Sequence, residues 1–389
     1  MFHASVKSGQ LAAAGAIVAA IAVVLFELRR RRRRQGAAET KEKAVLEMQP
    51  RTGSIVLANG VRMPSVGLGY WLCPNKEATQ VTKVALTAGV RLLDGAAGYS
   101  NEVGIGEGLQ AAVKEGVVCR EDVFVVSKLF NTKHVWDADS SRVKEGFDKT
   151  LRDLKLEYLD LFLMHWPFAF QQTDLKEVGP LRLEDGTPNP KLIMKMEFLE
   201  TYAEMIKLVD AGKVRALGVC NFTMEQLQLL LEKFPTHPPC VLQIEAHPYL
   251  TQPKLREFCW TKGIHVMAYS PLGAGASYSG KSFPAKGSGL YQNPNAGTTL
   301  LANPVVGEIS QSLGRSPAQV LIRWSLQRGY VCIPKSSRAE RIRENFDVLS
   351  WSIPDKDMER LDALDCGFRY SIGYSKGHYD CPNAPWSKL

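Results

Sequence analysis

From Ser65 onward the apolar positions of this chain fall into two alternating patterns. Short, continuous apolar runs rich in Val, Ile, Leu and Phe recur along it. They are Ser65–Tyr70, Val90–Asp94, Val123–Lys128, Tyr158–His165, Val214–Cys220, Val241–Glu245, Ile264–Tyr269 and Val331–Pro334. These runs lack strict apolar–polar alternation, the signature of strands covered on both faces. Between them lie segments with apolar residues three and four apart, the spacing of one helix face. These are Lys76–Ala88, Val103–Glu115, Arg142–Leu154, Glu197–Ala211, Met224–Lys233, Gln252–Lys262, Pro317–Gln327 and Ala339–Leu349. Ser316 fits the N-cap of its helix and Pro317 the first turn. Eight strands alternating with eight helices predict an α/β fold, a (β/α)8 TIM barrel. A doubly wound open sheet uses the same alternation, and the count of eight favours closure. Ser54–Val56 and Val61–Met63, joined by Asn59-Gly60, predict a β-hairpin before the first strand.

Two connections are long, Phe168 to Met194 and Gly273 to Thr299. Both follow strands and lead to helices, so both belong to the barrel mouth, where ligands bind. The expected organisation is residues 1–50 as an appendage, 51–370 as the barrel and 371–389 as a tail. The strands also end in polar residues: Asp94, Lys128 and His165 close consecutive runs. In a (β/α)8 barrel these ends converge on one face, so the three are expected to meet there.

Composition separates the ends from the body. Residues 1–50 carry nine Lys/Arg and four Glu, a charge of +5, which leaves 39 basic and 36 acidic residues, +3, for the rest. A body this near neutrality offers no electrostatic footprint for nucleic acid. The eight cysteines show no CxxC pair or zinc spacing, so no metal site is expected, and they are read as reduced thiols. Leu11–Phe26 is uncharged and apolar, and Arg29 to Arg34 follow it. As a helix, Leu11–Phe26 spans about 24 Å, slightly less than the ~30 Å hydrocarbon core. Leu28 and snorkelling arginines extend it, so residues 11–28 are expected to anchor the barrel on the cytosolic side of a membrane. The other reading is an extension with no membrane role. The chain ends Ser387-Lys388-Leu389, the address read by the peroxisomal import receptor. A peroxisomal membrane protein, or one with two destinations, would carry both signals, and a cytoplasmic location is the fallback.

Three longer motifs carry a family resemblance. Gly89–Glu102 reads Gly-Val-Arg-Leu-Leu-Asp-Gly-Ala-Ala-Gly-Tyr-Ser-Asn-Glu. Met205–Phe222 ends Gly-Val-Cys-Asn-Phe, and Ile333-Pro334-Lys335-Ser336 is followed by Arg341, Glu344 and Asn345. In this order and at these strand ends they resemble the three signatures of the aldo-keto reductase superfamily, over about Ile55 to Tyr370. Asp94-Gly95-Ala96 and the tail Leu361–Tyr370 look most like the aldose, xylose and aldehyde reductase branch.

The resemblance implies NADPH-dependent reduction of an aldehyde or ketone to the alcohol. Asp94, Tyr99, Lys128 and His165 match the catalytic group. The chemistry suits them: Tyr99 would give a proton to the carbonyl oxygen, and Lys128 would lower the pKa of a phenol that is otherwise a reluctant acid. Asp94 would hold Lys128, and His165 would orient the carbonyl. Cys220, Asn221 and Gln243 match positions that hold the nicotinamide carboxamide, with Cys220 standing where Ser is usual. Tyr269 matches the residue that stacks on the nicotinamide ring, and Ser270 and Leu272 match those around the pyrophosphate. Lys335, Ser336 and Arg341, with Glu344 and Asn345, match the adenosine end. Two cations and a hydroxyl suit a 2′-phosphate, which favours NADPH over NADH. No GxGxxG follows a strand, so no separate dinucleotide-binding domain is indicated. Trp71, Phe130 and Trp166 are expected to line an apolar substrate pocket. The resemblance also implies a monomer. The same residues fit an alcohol dehydrogenase working in the oxidising direction. A cofactor-sensing, membrane-associated subunit without turnover is the non-enzymatic alternative.

Overall fold

A computed structural model describes residues 53–170, 194–195, 197–273 and 299–370. The chain divides into Met1–Met48 and Gln49–Leu389, and every described residue lies in the second unit. The expected anchor (residues 11–28), the terminal Ser387-Lys388-Leu389, Cys381 and most of the two long connections lie outside the described residues. Among the described residues no helix is long and apolar enough to cross a membrane.

The hairpin is present as β1 (Ser54–Val56) and β2 (Arg62–Pro64), paired antiparallel. Two short strands, β7 (Ala169–Phe170) and β8 (Met194–Lys195), also pair antiparallel. The main sheet holds β3 (Leu68–Gly69), β4 (Leu92–Asp94), β5 (Phe124–Leu129), β6 (Leu159–Met164), β9 (Val214–Cys220), β10 (Val241–Glu245), β11 (His265–Tyr269) and β12 (Val331–Cys332). These strands lie side by side in chain order, and every pair is parallel. The two edges are joined as well. Gly67 N–H donates to Cys332 O at 2.8 Å, Cys332 N–H to Ser65 O at 2.9 Å and Gly69 N–H to Pro334 O at 3.1 Å. These bonds close the sheet on itself.

The expected lack of alternation has a direct cause. Leu92, Val126, Leu161 and Leu163 pack with Val241 and Met267 in one cluster inside the sheet, joined by Ile55 and Met63 of the hairpin. Leu93, Val125 and Phe162, one residue away on the same strands, pack in a second cluster with residues of the helices. Both faces of each strand are therefore apolar. The hairpin seats at the N-terminal strand ends. His265 Nε2, at the start of β11, is 3.0 Å from Val56 O, and Asn59 Nδ2 donates to Arg215 O at 2.9 Å. The C-terminal strand ends are left for the site.

Around the sheet run α1 (Asn75–Thr87), α2 (Glu102–Lys114), α3 (Ser141–Leu154), α4 (Phe198–Asp210), α5 (Met224–Lys233), α6 (Pro253–Thr261), α7 (Pro304–Leu313), α8 (Pro317–Gln327), α9 (Ala339–Phe346) and α10 (Asp355–Asp362). Ser316 caps α8 as expected, its hydroxyl accepting from Gln319 N–H while Gln319 reaches back. Val214–Cys220, Val241–Glu245, Met224–Lys233 and Pro317–Gln327 match their expected spans, whereas the strands at the edges are shorter than expected, with two residues each in β3 and β12. Two helices were not anticipated, α7 and α10. Asn303 caps α7 and Gly314 ends it in the left-handed region, signals present in the sequence but additional to one helix per strand. α10 buries only Met358 and Leu361, too narrow a stripe to stand out.

Candidate active site

The residues that end β4, β5 and β6 meet at the C-terminal face. Lys128, fully buried on β5, donates from Nζ to Asp94 Oδ2 at 2.8 Å and to Gly95 O at 2.8 Å. The same Nζ lies 5.0 Å from the centroid of the Tyr99 ring. Tyr99 is carried by a 3-10 turn, Ala97–Tyr99, and Ser100 after it adopts φ +56°. The His165 ring meets Tyr99 edge to face, with centroids 5.5 Å apart. Asp94 also accepts from Gln243 Nε2 at 2.8 Å. Asp94, Tyr99, His165 and Gln243 line one cleft of about 910 Å³.

The electrostatics follow from burial and from this grouping. Removal from water dominates at Tyr99, while Lys128 pulls its pKa down and Asp94 pushes it up. The net result is a phenol raised from 10.0 to about 12. The expected lowering by Lys128 is therefore present but outweighed by desolvation. Burial works against a charged Lys128, but Asp94 and the phenol overcome it and raise its pKa, so it stays an ammonium. His165 is held well below its ordinary pKa, first by burial and then by Lys128, so its ring is neutral.

The remaining expected residues divide between wall and support. Asn221, with φ +61°, donates from Nδ2 to His165 O at 3.1 Å and accepts from Tyr269 Oη at 2.9 Å. It thus ties the end of β9 to the ends of β6 and β11. Tyr269, Ser270 and Leu272 line the cleft beside it. Lys335, Ser336 and Arg341 line the same cleft with Glu344 and Asn345. Trp71, Phe130 and Trp166 line it too. Phe130 packs edge to face on His165, with centroids 6.4 Å apart. Lys128 and Cys220 do not line the cleft. Cys220 is 1% exposed and packs among Leu163, Val241 and Met267.

Some wall residues went unnoticed in the sequence. Arg338 adds a third exposed cation to the lining, in the same Lys-Ser-Ser-Arg run that gave Lys335 and Ser336. Leu72 also lines the cleft, at φ +58°, an uncommon conformation for a leucine. Asn101 holds the turn that carries Trp71 and Leu72, donating to Tyr70 O at 2.9 Å and Cys73 O at 2.8 Å. Gln243 was assigned only to cofactor contact, whereas it also braces Asp94. That brace depends on the closure of the barrel and has no local signal. Among the described residues no cluster of His, Cys, Asp and Glu forms a metal site.

Known proteins resemble the whole body. The NAD(P)H-dependent D-xylose reductase of Pyricularia oryzae is 41% identical over 316 residues, 81% of this chain and 93% of that protein. The NAD(P)H-dependent D-xylose reductase of Candida tenuis is 39% identical over 317 residues, 82% and 94% of the two chains. Aldo-keto reductase family 1 member A1 of Sus scrofa is 40% identical over 320 residues, 82% and 91%. The aldo/keto reductase family model matches residues 64–365, which span the closed sheet and the cleft, and the chain belongs to that family.

Proposed function

We propose that the chain reduces an aldehyde or ketone to the alcohol with NADPH, and that Tyr99 is the proton donor. The carrying observation is the meeting of Tyr99, a charged Lys128 and a neutral His165 at a cleft that three exposed cations also line. The xylose reductases among the relatives are NAD(P)H-dependent by name.

The residues present fit a phosphorylated dinucleotide. Lys335, Arg338 and Arg341 give a cationic end where Lys335 Nζ is 3.1 Å from Ser337 Oγ, chemistry matched to a 2′-phosphate. Asn221 and Tyr269 stand on the wall near the catalytic group and would meet the nicotinamide. When bound, that ring supplies the hydride that goes to the carbonyl carbon.

The proton is this chain's contribution. A donor must hold its proton at rest and release it as charge develops on the carbonyl oxygen. The raised pKa of Tyr99 satisfies the first condition. Lys128 satisfies the second, because its ammonium stabilises the phenolate left after the O–H bond breaks. Asp94, braced by Gln243, fixes the ammonium. A neutral His165 can donate one hydrogen bond to the carbonyl oxygen without competing as an acid.

The test follows absorbance of NADPH with an aromatic aldehyde, an aldose and a ketone. Wild-type protein should oxidise NADPH in preference to NADH, and Tyr99→Phe should lose at least about a hundredfold in kcat. Arg341→Ala should raise the KM for NADPH and leave that for NADH unchanged. Equal use of both cofactors would refute the 2′-phosphate reading. Turnover by Tyr99→Phe at the wild-type rate would refute the proton donor.

A further inference from the structure

One buried carboxylate has no part in the chemistry above. Glu102 opens α2, three residues after Tyr99, and is 3% exposed. Its Oε1 accepts from Ser127 Oγ at 2.5 Å and its Oε2 from Thr150 Oγ1 at 3.2 Å. Ser127 immediately precedes Lys128 on β5. Successive side chains of a strand face opposite ways, so Lys128 enters the barrel while Ser127 faces the helix layer. The carboxylate thus joins three elements: the helix that follows Tyr99, the strand that carries Lys128, and α3 through Thr150. Among the described residues only hydroxyls donate to it.

We infer that Glu102 is a positioning residue for the reaction, fastening the Tyr99 segment to the Lys128 strand from outside the barrel wall. The inference rests on the reductase reading above. The helix it anchors is closely seated. A Cβ on Gly106 would lie 2.5 Å from the Leu154 backbone of α3, and one on Gly108 would lie 2.5 Å from Thr82 of α1. Glu102 therefore sits on an element with little room to shift, and a tether there is transmitted to both ends. Burying a carboxylate against two hydroxyls is costly. A leucine would fill the space without that cost but would make neither bond.

The tether has two states. As a carboxylate, Glu102 accepts from both hydroxyls. As an acid it must donate to one of them, which reverses a bond beside Lys128. Burial raises its pKa most, the two hydroxyls lower it, and the result is about 7. The charged groups facing it are both on α3: Asp153, which raises its pKa, and Lys149, which lowers it. These two pair with each other. Thr82 and Ala78 of α1, packed on the other side of α2, carry no charge.

The experiment compares wild type, Glu102→Gln and Glu102→Ala as full chains, with Tyr99→Phe as control. It measures kcat, KM and NADPH affinity from about pH 6 to about pH 8.5. Glutamine mimics the acid form. Wild-type kcat should fall toward low pH, and Glu102→Gln should show a flat profile at the wild-type acid level. Glu102→Ala should lose about tenfold or more at every pH with NADPH affinity unchanged, and glutamine should restore part of that loss. Matching profiles for all three, with Tyr99→Phe inactive, would overturn the tether and leave the reductase reading intact. If Tyr99→Phe is fully active, the assignment of Tyr99 as proton donor falls, and amide hydrogen exchange still decides the tether. Glu102→Ala should then speed exchange in residues 97–102 and 127–130 together, and unchanged exchange in both segments would overturn it.

Discussion

At the scale of single residues, Lys128 is the most exacting member of the site. Its ammonium is fully buried and its partner Asp94 is 2% exposed. Removing one partner of a buried pair leaves the other uncompensated, which costs more than the pair contributes. Lys128→Met should therefore do two separable things. It should lower the unfolding free energy by about 3 kcal/mol, because Asp94 keeps only the Gln243 amide. It should also lower kcat about a hundredfold or more, because nothing then stabilises a Tyr99 phenolate. Adding Asp94→Asn removes the stranded charge while still accepting from Gln243. The double variant should recover most of the stability in a denaturant titration and none of the turnover. Recovery of both would mean that Lys128 is only structural.

At the scale of elements, the C-terminal segment is secured by the end of β10. Cys366 and Phe368 N–H donate to Tyr249 O at 3.3 and 3.0 Å, and Asp365 accepts from Thr251. Tyr370 N–H donates to Glu245 Oε1 at 2.6 Å, and the same oxygen lies 2.8 Å from His247 Nε2. The Tyr370 ring rests on Gly273, where a Cβ would come within 2.9 Å of it. Burial would raise the pKa of Glu245, but the His247 bond, its charge, Arg369 and the Tyr370 N–H together lower it. A depressed carboxylate stabilises above its unfolded pKa of about 4.5 and loses that contribution as pH falls through its folded value. Wild type should thus lose thermal stability on acidification below about pH 4.5, and proteolysis should open the segment around Tyr370 first. Glu245→Gln should start less stable at neutral pH and fall less steeply. Parallel Tm curves for the two would show that the pair does not hold the tail.

Much of this was legible in the chain. Each expected strand and helix has a counterpart among the described residues; the strands showed as short runs apolar on both faces, which suit a strand between two layers, as Leu92 and Leu93 demonstrate. Asp94, Lys128 and His165 could be foreseen to converge because topology alone brings strand ends together. The edges of the sheet were less legible. Ser65 to Tyr70 read as one strand, but the fold keeps a single bridge at Val66–Cys332 and two paired residues beyond it. The sign of the Tyr99 shift was not legible either. A sequence shows that a lysine will be near, and only the packed site shows how much water is gone.

At the scale of the whole molecule, the N-terminal segment differs from the rest of the chain in charge. Residues 1–50 carry +5 of the net +8. Described structure begins at Gly53, beside β1 and β2, which seat at the N-terminal strand ends. The cleft opens at the C-terminal ends, and its lining begins at Gly69. If residues 11–28 enter a membrane, the full chain should pellet with membranes, resist extraction by salt and be released by detergent. Deleting residues 11–28 should move it to the soluble fraction while kcat and the KM for NADPH stay within about twofold, since no lining residue is altered. Replacing Arg29 to Arg34 with glutamine would separate the two contributions. Loss of membrane binding in that variant would assign attachment to charge on an anionic surface, about 1 kcal/mol for each arginine. Retained binding would assign it to the apolar run, and a full chain found only in the soluble fraction would rule out both.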